Sequence, residues 1–410
     1  MTHGRSNPVG KSEASAAQAP GLGTILLLGS FSVFASISIE MYLPALPVIS
    51  ADLKAWPGAV ELTISSFLIA LAAGQLIYGP LSDRIGRRPP LLFGLSLYCL
   101  ASIACAMAVN VEQLIAFRFL QALGGCAGSV VARAMVRDRF PANRVVHVLS
   151  LMSLLTGLSP LLSPLAGGAI LHFASWRVIL GSQAAFGIAI LLIAVLMMKE
   201  PERHASRPST TESWWSGFAA VARQPRTVGY ALSGGLGGSV LFVYGACFPA
   251  IAMGRFGLSP QQMSWLLAAG AGMMMVCAQM NRPLLRRFTS DQILRSANSA
   301  SVVIAMGLCV IAWSGRGGFV GLVAPLLIIL GLRGLSLPHA SAQALLSETK
   351  RVGLVSALVG AGSFAWGAAF AAIPGRLADG TARPFAATIL AALALAALAI
   401  RWTVPKAAKA

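Results

Sequence analysis

Runs of about twenty predominantly apolar residues recur from one end of the chain to the other, each long enough to cross a bilayer as a helix. They lie near 22–47, 60–80, 89–108, 112–135, 146–171 and 176–198, and again near 227–253, 259–281, 292–314, 318–342, 353–374 and 384–404. Lipid offers no partner to a backbone N–H or C=O, so runs of this kind cross as helices. The short gaps between most runs leave room for tight loops and for no soluble domain. An all-α polytopic membrane protein is therefore expected, built as two six-helix halves over 22–198 and 227–404. A polar stretch, KEPERHASRPSTTES from Lys199, opens a linker over 199–226. Residues 1–21 read as a disordered cytoplasmic tail and 405–410 as a second tail. Two parallel halves are one way to build an alternating-access transporter with its substrate site between them near the midplane.

Charge supports the same reading. Only 11% of the 410 residues are charged, 56% are hydrophobic and the mean hydropathy is +0.75, whereas a soluble chain carries roughly a quarter charged residues. The 42 glycines suit close helix approach in a solvent that does not drive helices together. A net charge of +18 would suit nucleic acid, but the basic residues fall in short clusters between apolar runs and form no continuous stripe. With both termini placed in the cytoplasm, the outer loops hold only Lys54, Arg177, Arg255, Arg316, Arg376 and Arg383 of the 31 Lys and Arg. That asymmetry predicts both termini inside and an even number of spans. The six cysteines lie inside apolar runs with no C-x-x-C spacing, so no zinc site or disulfide framework is expected. The five histidines show no ligand-like spacing, and neither a catalytic constellation nor a P-loop is present, so no enzyme, metal or cofactor is expected.

A charge at the centre of a span costs at least about 2.5–3.5 kcal/mol, so intramembrane charges are functional candidates. Glu40 is the acidic residue well inside an apolar run, near the outer end of the first span, and Arg118 lies at a comparable depth in the fourth. One reading is a proton-coupling carboxylate with a basic residue nearby. The alternatives are a structural ion pair or a hydrated Glu40. Arg333 and His339 in the tenth span could attract an anionic substrate and titrate near neutrality. Equally, His339 could hydrogen-bond a carbonyl of a broken helix. Met41, Tyr42, Tyr244 and Phe248 are soft or aromatic and suit a cavity for apolar compounds, or simple packing. Met263, Met273, Met274, Met275 and Cys277 gather in and near the eighth span, which raises Cu(I) import as an alternative. Adjacent methionines, however, face different sides of a helix.

The loop after the second span reads GPLSDRIGRR, from Gly79 to Arg88. It resembles the G-x-x-x-D-R-x-G-R-[RK] signature of the major facilitator superfamily. IEMYLPALPVIS (Ile39–Ser50), GQLIYGPLSDRIGRRP (Gly74–Pro89) and RFLQALGG (Arg118–Gly125) are similar to the Bcr/CflA drug-efflux transporters. The resemblance implies a major facilitator fold, with two six-helix bundles around a central cavity. It also implies that Gly79, Asp83, Arg84, Gly86, Arg87 and Arg88 lock the halves in the outward-facing state. Arg118 and Gln121 match the R-x-x-Q pattern of the fourth helix, and Glu40 stands where relatives carry an acidic residue. SPLLSPLAGG, from Ser159 to Gly168, resembles an antiporter signature carried by Pro160, Pro164, Gly167 and Gly168. The function implied is a monomeric, proton-coupled inner-membrane antiporter exporting small lipophilic compounds such as antibiotics, its partners being substrate, protons and membrane lipids. A transporter of one specific metabolite on the same fold is the alternative.

Overall fold

Two prolines decide the shape of the first span. Pro44 and Pro47 lack an N–H, and their rings would collide with the carbonyls of Glu40 and Leu43 in a continuous helix. Helix α1 (Leu22–Glu40) accordingly ends at Glu40, and a turn and a 3-10 segment (Leu43–Ala45) lead into α2 (Leu46–Asp52). The expected single run over 22–47 is thus a broken span that continues to Asp52. The computed structural model describes residues 22–198, 214–348 and 351–404.

The first half continues with α3 (Ala59–Ile85), α4 (Arg88–Ala106), α5 (Val111–Arg139), α6 (Ala142–Phe173) and α7 (Trp176–Met197). A short helix, α8 (Trp214–Ala222), occupies the described part of the expected linker; residues 199–213 and the tails 1–21 and 405–410 lie outside the described residues. The second half contains α9 (Pro225–Phe256), α10 (Pro260–Gln279), α11 (Asn281–Leu284), α12 (Ser290–Ser314), α13 (Gly318–Leu346), α14 (Val352–Arg376) and α15 (Arg383–Thr403). Among the described residues, 12 helical segments are long and apolar enough to cross a membrane. Several outrun their apolar cores: α3 carries its helix through Asp83 and Arg84, and α5 through Arg137 and Arg139. Polar side chains can prolong a helix into the headgroup region, where hydropathy no longer marks its end. Helix starts are fixed locally, as where Ser259 and Gln262, and Thr289 and Gln292, form capping boxes at α10 and α12.

The halves repeat one packing scheme. In the first, α1 packs on α5 and α6, α3 on α5, and α4 on α5 and α7; in the second, α9 packs on α13 and α14, α10 on α13, and α12 on α13 and α15. Helix for helix the two schemes correspond. The seam between halves runs along α3 with α14 and along α6 with α10.

The two faces of the seam differ. On the face away from the termini, Gly58 (φ 82°) abuts Gly375 so closely that a Cβ on Gly58 would lie 2.5 Å from the Gly375 carbonyl oxygen. Leu43 seals against Gly245 beside it, where a Cβ on Gly245 would lie 2.7 Å from the leucine methyl. On the termini face a vestibule of about 600 Å³ opens between α3, α5 and α6 on one side and α8, Arg351 and α14 on the other.

Candidate substrate and proton pathway

The break after Glu40 sets its side chain at the boundary between halves. A small cavity of about 70 Å³ lies there, lined by Ile39, Glu40, Leu43, Ile64 and Pro160 of the first half. Tyr244, Phe242, Gly270, Met274 and Leu330 are among the residues lining it from the second. Glu40 is the charged group in that lining, and among the described residues its carboxylate makes no hydrogen bond or ion pair. The Tyr244 hydroxyl donates to the Leu266 carbonyl at 3.0 Å, and its ring stacks on Phe248 at 5.5 Å between centroids.

Arg118 does not face Glu40. It is 0% exposed inside the first bundle, where Nη1 donates to the Ser38 carbonyl at 3.0 Å and to Gln121 Oε1 at 2.7 Å. Its guanidinium lies 4.3 Å from the ring centroids of both Tyr42 and Phe67, a cation–π arrangement. Gln121 Nε2 donates onward to Ser102 Oγ (2.8 Å) and Gln183 Oε1 (3.0 Å), while Ser38 and Tyr98 share a hydrogen bond of 2.7 Å. One network thus ties α1, α4, α5 and α7 together. Arg118 engages Ser38 and Tyr42, which flank Glu40 by two residues on either side. Two residues turn a helix by about 200°, so the carboxylate points the other way, toward the second half.

The second half holds a counterpart. Arg333 of α13, the helix corresponding to α5, is 1% exposed. Nη1 donates to Asn298 Oδ1 at 3.0 Å and Nη2 to Ser301 Oγ at 2.6 Å, and Asn298 Nδ2 donates to Ser233 Oγ at 2.9 Å. This ties α9, α12 and α13 and keeps Arg333 out of the cavity. His339 is also buried, its Nε2 3.0 Å from Asn281 Oδ1 at the break between α10 and α11. The carbonyl partner suggested for His339 is therefore a side-chain amide.

Comparison with known proteins decides the family. A family model described as Major Facilitator Superfamily matches residues 26–374. The chain belongs to the Major Facilitator Superfamily. It is accordingly a transporter and not an enzyme. It is 32% identical over 359 residues to the "Uncharacterized MFS-type transporter YdgK" of Bacillus subtilis (strain 168), covering 86% of this chain and 87% of that one. It is 26% identical over 376 residues to the "Bicyclomycin resistance protein homolog" of Haemophilus influenzae (strain ATCC 51907 / DSM 11121 / KW20 / Rd), covering 92% and 94%. The fold matches the crystal structure of a D-xylose-proton symporter with a TM-score of 0.73 at 14% identity, over 93% of this chain and 97% of that one.

The superfamily loop can be placed residue by residue. Gly86 makes the bend, with φ 96°, which an L side chain rarely adopts. Gly79 makes none: it lies inside α3 and faces open space in the vestibule. Arg87 donates to Asp83 (2.5 Å), Asp138 (2.7 Å) and Ser82 (2.9 Å). Burial opposes its charge, yet the bonds to Asp138 and Asp83 outweigh burial and hold its pKa above the ordinary value. Arg88 donates to the Val195 carbonyl of α7 at 3.0 Å, and Arg84 is exposed. These bonds of Arg87 and Arg88 stay within the first half.

Pro160 and Pro164 lie inside α6, and Pro160 reaches the cavity. A side chain on Gly167 would collide with the Met41 carbonyl oxygen, and one on Gly168 with Ser264 Oγ of α10 across the seam. Of Met41, Tyr42, Tyr244 and Phe248, only Tyr244 lines the cavity. Met41 packs by its backbone against α6, Tyr42 covers Arg118, and Phe248 is fully buried beside Phe385. The methionines diverge: Met263 is buried, Met274 faces the cavity, and Met273 and Met275 are exposed. Three participants carry no mark in the sequence that singles them out. Gln183 and Asn298 are single amides in apolar runs, which nothing local distinguishes from caps or packing. Glu61, against Gly375 at the closed face, sits in the first turn of α3, where an acid suits the helix dipole.

Proposed function

We propose that this transporter is a proton-coupled antiporter that exports small lipophilic compounds, antibiotics among them, across the inner membrane by alternating access, with both termini in the cytoplasm. The observation that carries the reading is Glu40, the charged group lining an otherwise largely apolar cavity between the halves, with no counter-ion among the described residues. A carboxylate there cannot be closed over by apolar walls without cost unless it binds a proton or a ligand. That requirement links occlusion of the cavity to protonation, which is the coupling an antiporter needs.

Several features support this. The seam is sealed at Gly58–Gly375 and open at the vestibule, an asymmetry that suits access from one side at a time. The halves 22–198 and 227–404 are the moving bodies, rocking along α3–α14 and α6–α10, with 199–226 as their tether. The conformational role falls to Gly79, Asp83, Arg84, Gly86, Arg87 and Arg88, which would meet the second half across the vestibule when it closes. Pro160, Pro164, Gly167 and Gly168 shape the α6 side of the seam. Ile39, Leu43, Phe242, Tyr244 and Met274 give a soft lining suited to varied apolar solutes, and the Haemophilus relative is named as a resistance protein. One proton moving down about 150 mV provides roughly 3.5 kcal/mol, enough to sustain a gradient of a few hundredfold for a neutral solute.

The test is expression in a drug-hypersensitive host with Glu40→Gln beside the native chain, both quantified in membranes. The native chain is expected to raise the inhibitory concentration of several lipophilic antibiotics, and Glu40→Gln to lose about tenfold or more of that efflux activity. Full protection by Glu40→Gln, or none by the native chain, would contradict the reading.

A further inference from the structure

Among the described residues, the lining of the vestibule on the termini face carries more positive charge than its acidic groups balance. Arg133 and Arg137 lie four residues apart on α5 and both line it, with Arg351 facing them from the second half. The acidic group in the lining is Asp83, and Arg87 already binds it at 2.5 Å. Arg351 is itself paired with Glu348 at 3.7 Å. Among the described residues, Arg133 and Arg137 make no hydrogen bond or ion pair, although both side chains are exposed to the vestibule. Like charges at this helical spacing repel. Arginines that serve only topology reach outward to lipid headgroups; these two turn inward, into the cleft between the halves.

The rest of the lining is apolar enough to seat a hydrophobic body: Leu76, Pro80, Val130, Leu149 and Leu354. Ile64 of the inner cavity and Gln75 of the vestibule lie on one stripe of α3, about three turns apart, and Gln75 packs against Gly360 of α14 between the two spaces. A compound moving from the termini face to Glu40 passes the arginines first. Resting on the export reading above, we propose that Arg133 and Arg137 form a binding site for amphiphilic anions, which biases the exported compounds toward anionic and neutral species and against cations.

The full-length chain in nanodiscs of phosphatidylcholine tests this with two near-isosteric fluorescent probes, anionic 8-anilinonaphthalene-1-sulfonate and neutral N-phenyl-1-naphthylamine. Arg133→Gln/Arg137→Gln is expected to weaken the sulfonate about tenfold. Arg133→Lys/Arg137→Lys keeps it within about twofold of native, and the neutral probe binds all three alike, which also reports that the variants fold. Sulfonate binding indifferent to the glutamines, or equal loss of both probes, would overturn the proposal. The same measurement with phosphatidylglycerol added separates sources of anion: an arginine effect that persists supports a soluble occupant, and one that vanishes assigns the site to a lipid headgroup and overturns the substrate bias. Binding is read without a proton gradient, so failure of the antiport reading, which is seen in proton movement, is distinguishable from failure of this one.

Discussion

Arg118 and Glu40 lie in separate surroundings, although a comparable depth in the sequence had suggested that they meet. The guanidinium is planar and uses that plane twice, donating from Nη1 to Ser38 and Gln121 while lying over the rings of Tyr42 and Phe67. A lysine keeps the charge but neither the fork nor the flat face. Arg118→Lys is therefore expected to lower stability by about 1–3 kcal/mol, visible as a lower thermal midpoint of the purified chain; an unchanged midpoint would show that the network is not structural. Each residue was legible in the sequence as a charge inside an apolar run. Their separation was not, because it depends on helical phase at a break imposed by Pro44 and Pro47. Ser38 and Tyr42 turn toward α5, and Glu40 between them turns away.

At the scale of elements, the segment after α1 packs across the seam between the halves. Leu43 seals against Gly245 of α9 on the closed face. Leu43→Cys/Gly245→Cys places two sulfurs within reach of a disulfide, and oxidation is expected to arrest transport and reductant to restore it. The native chain, with its six cysteines, serves as the control; transport unaffected by a formed cross-link would mean that this face need not open. On the other side of the same segment, Gly167 admits the Met41 carbonyl. Gly167→Ala is expected to push α6 off α1 and cost about 1–3 kcal/mol, again read by thermal unfolding, with a larger loss of efflux than of stability. The apolar runs located every span, since a bilayer leaves little freedom in length. Their ends were less legible: Asp83, Arg84 and Arg139 lie on helices that continue past the hydrophobic stretch, and α8 lies in a segment read as a linker.

For the whole molecule, the two-half plan followed from span count and charge asymmetry, and the packing repeats in corresponding helix pairs: α1–α5 with α9–α13, and α4–α7 with α12–α15. The repeat extends to chemistry that sequence similarity did not reveal. Arg118 and Arg333 occupy corresponding helices, and each is held within its own bundle, Arg118 by a side-chain amide and a backbone carbonyl and Arg333 by a side-chain amide and a hydroxyl, among other contacts. Arg333 thus belongs to the scaffold and not to the cavity. Neither the vestibule nor the sealed face could be read from a linear pattern, because each is made by residues of both halves that share no local signal. The central claim concerns Glu40, and proton movement tests it most directly. Purified native chain and Glu40→Gln are reconstituted into vesicles holding a pH-sensitive dye, an inward-acid gradient is imposed, and a neutral lipophilic antibiotic is added outside. Drug-dependent proton efflux from vesicles of the native chain and none from Glu40→Gln is the expected result; equal proton movement in both, or none in either, would contradict it.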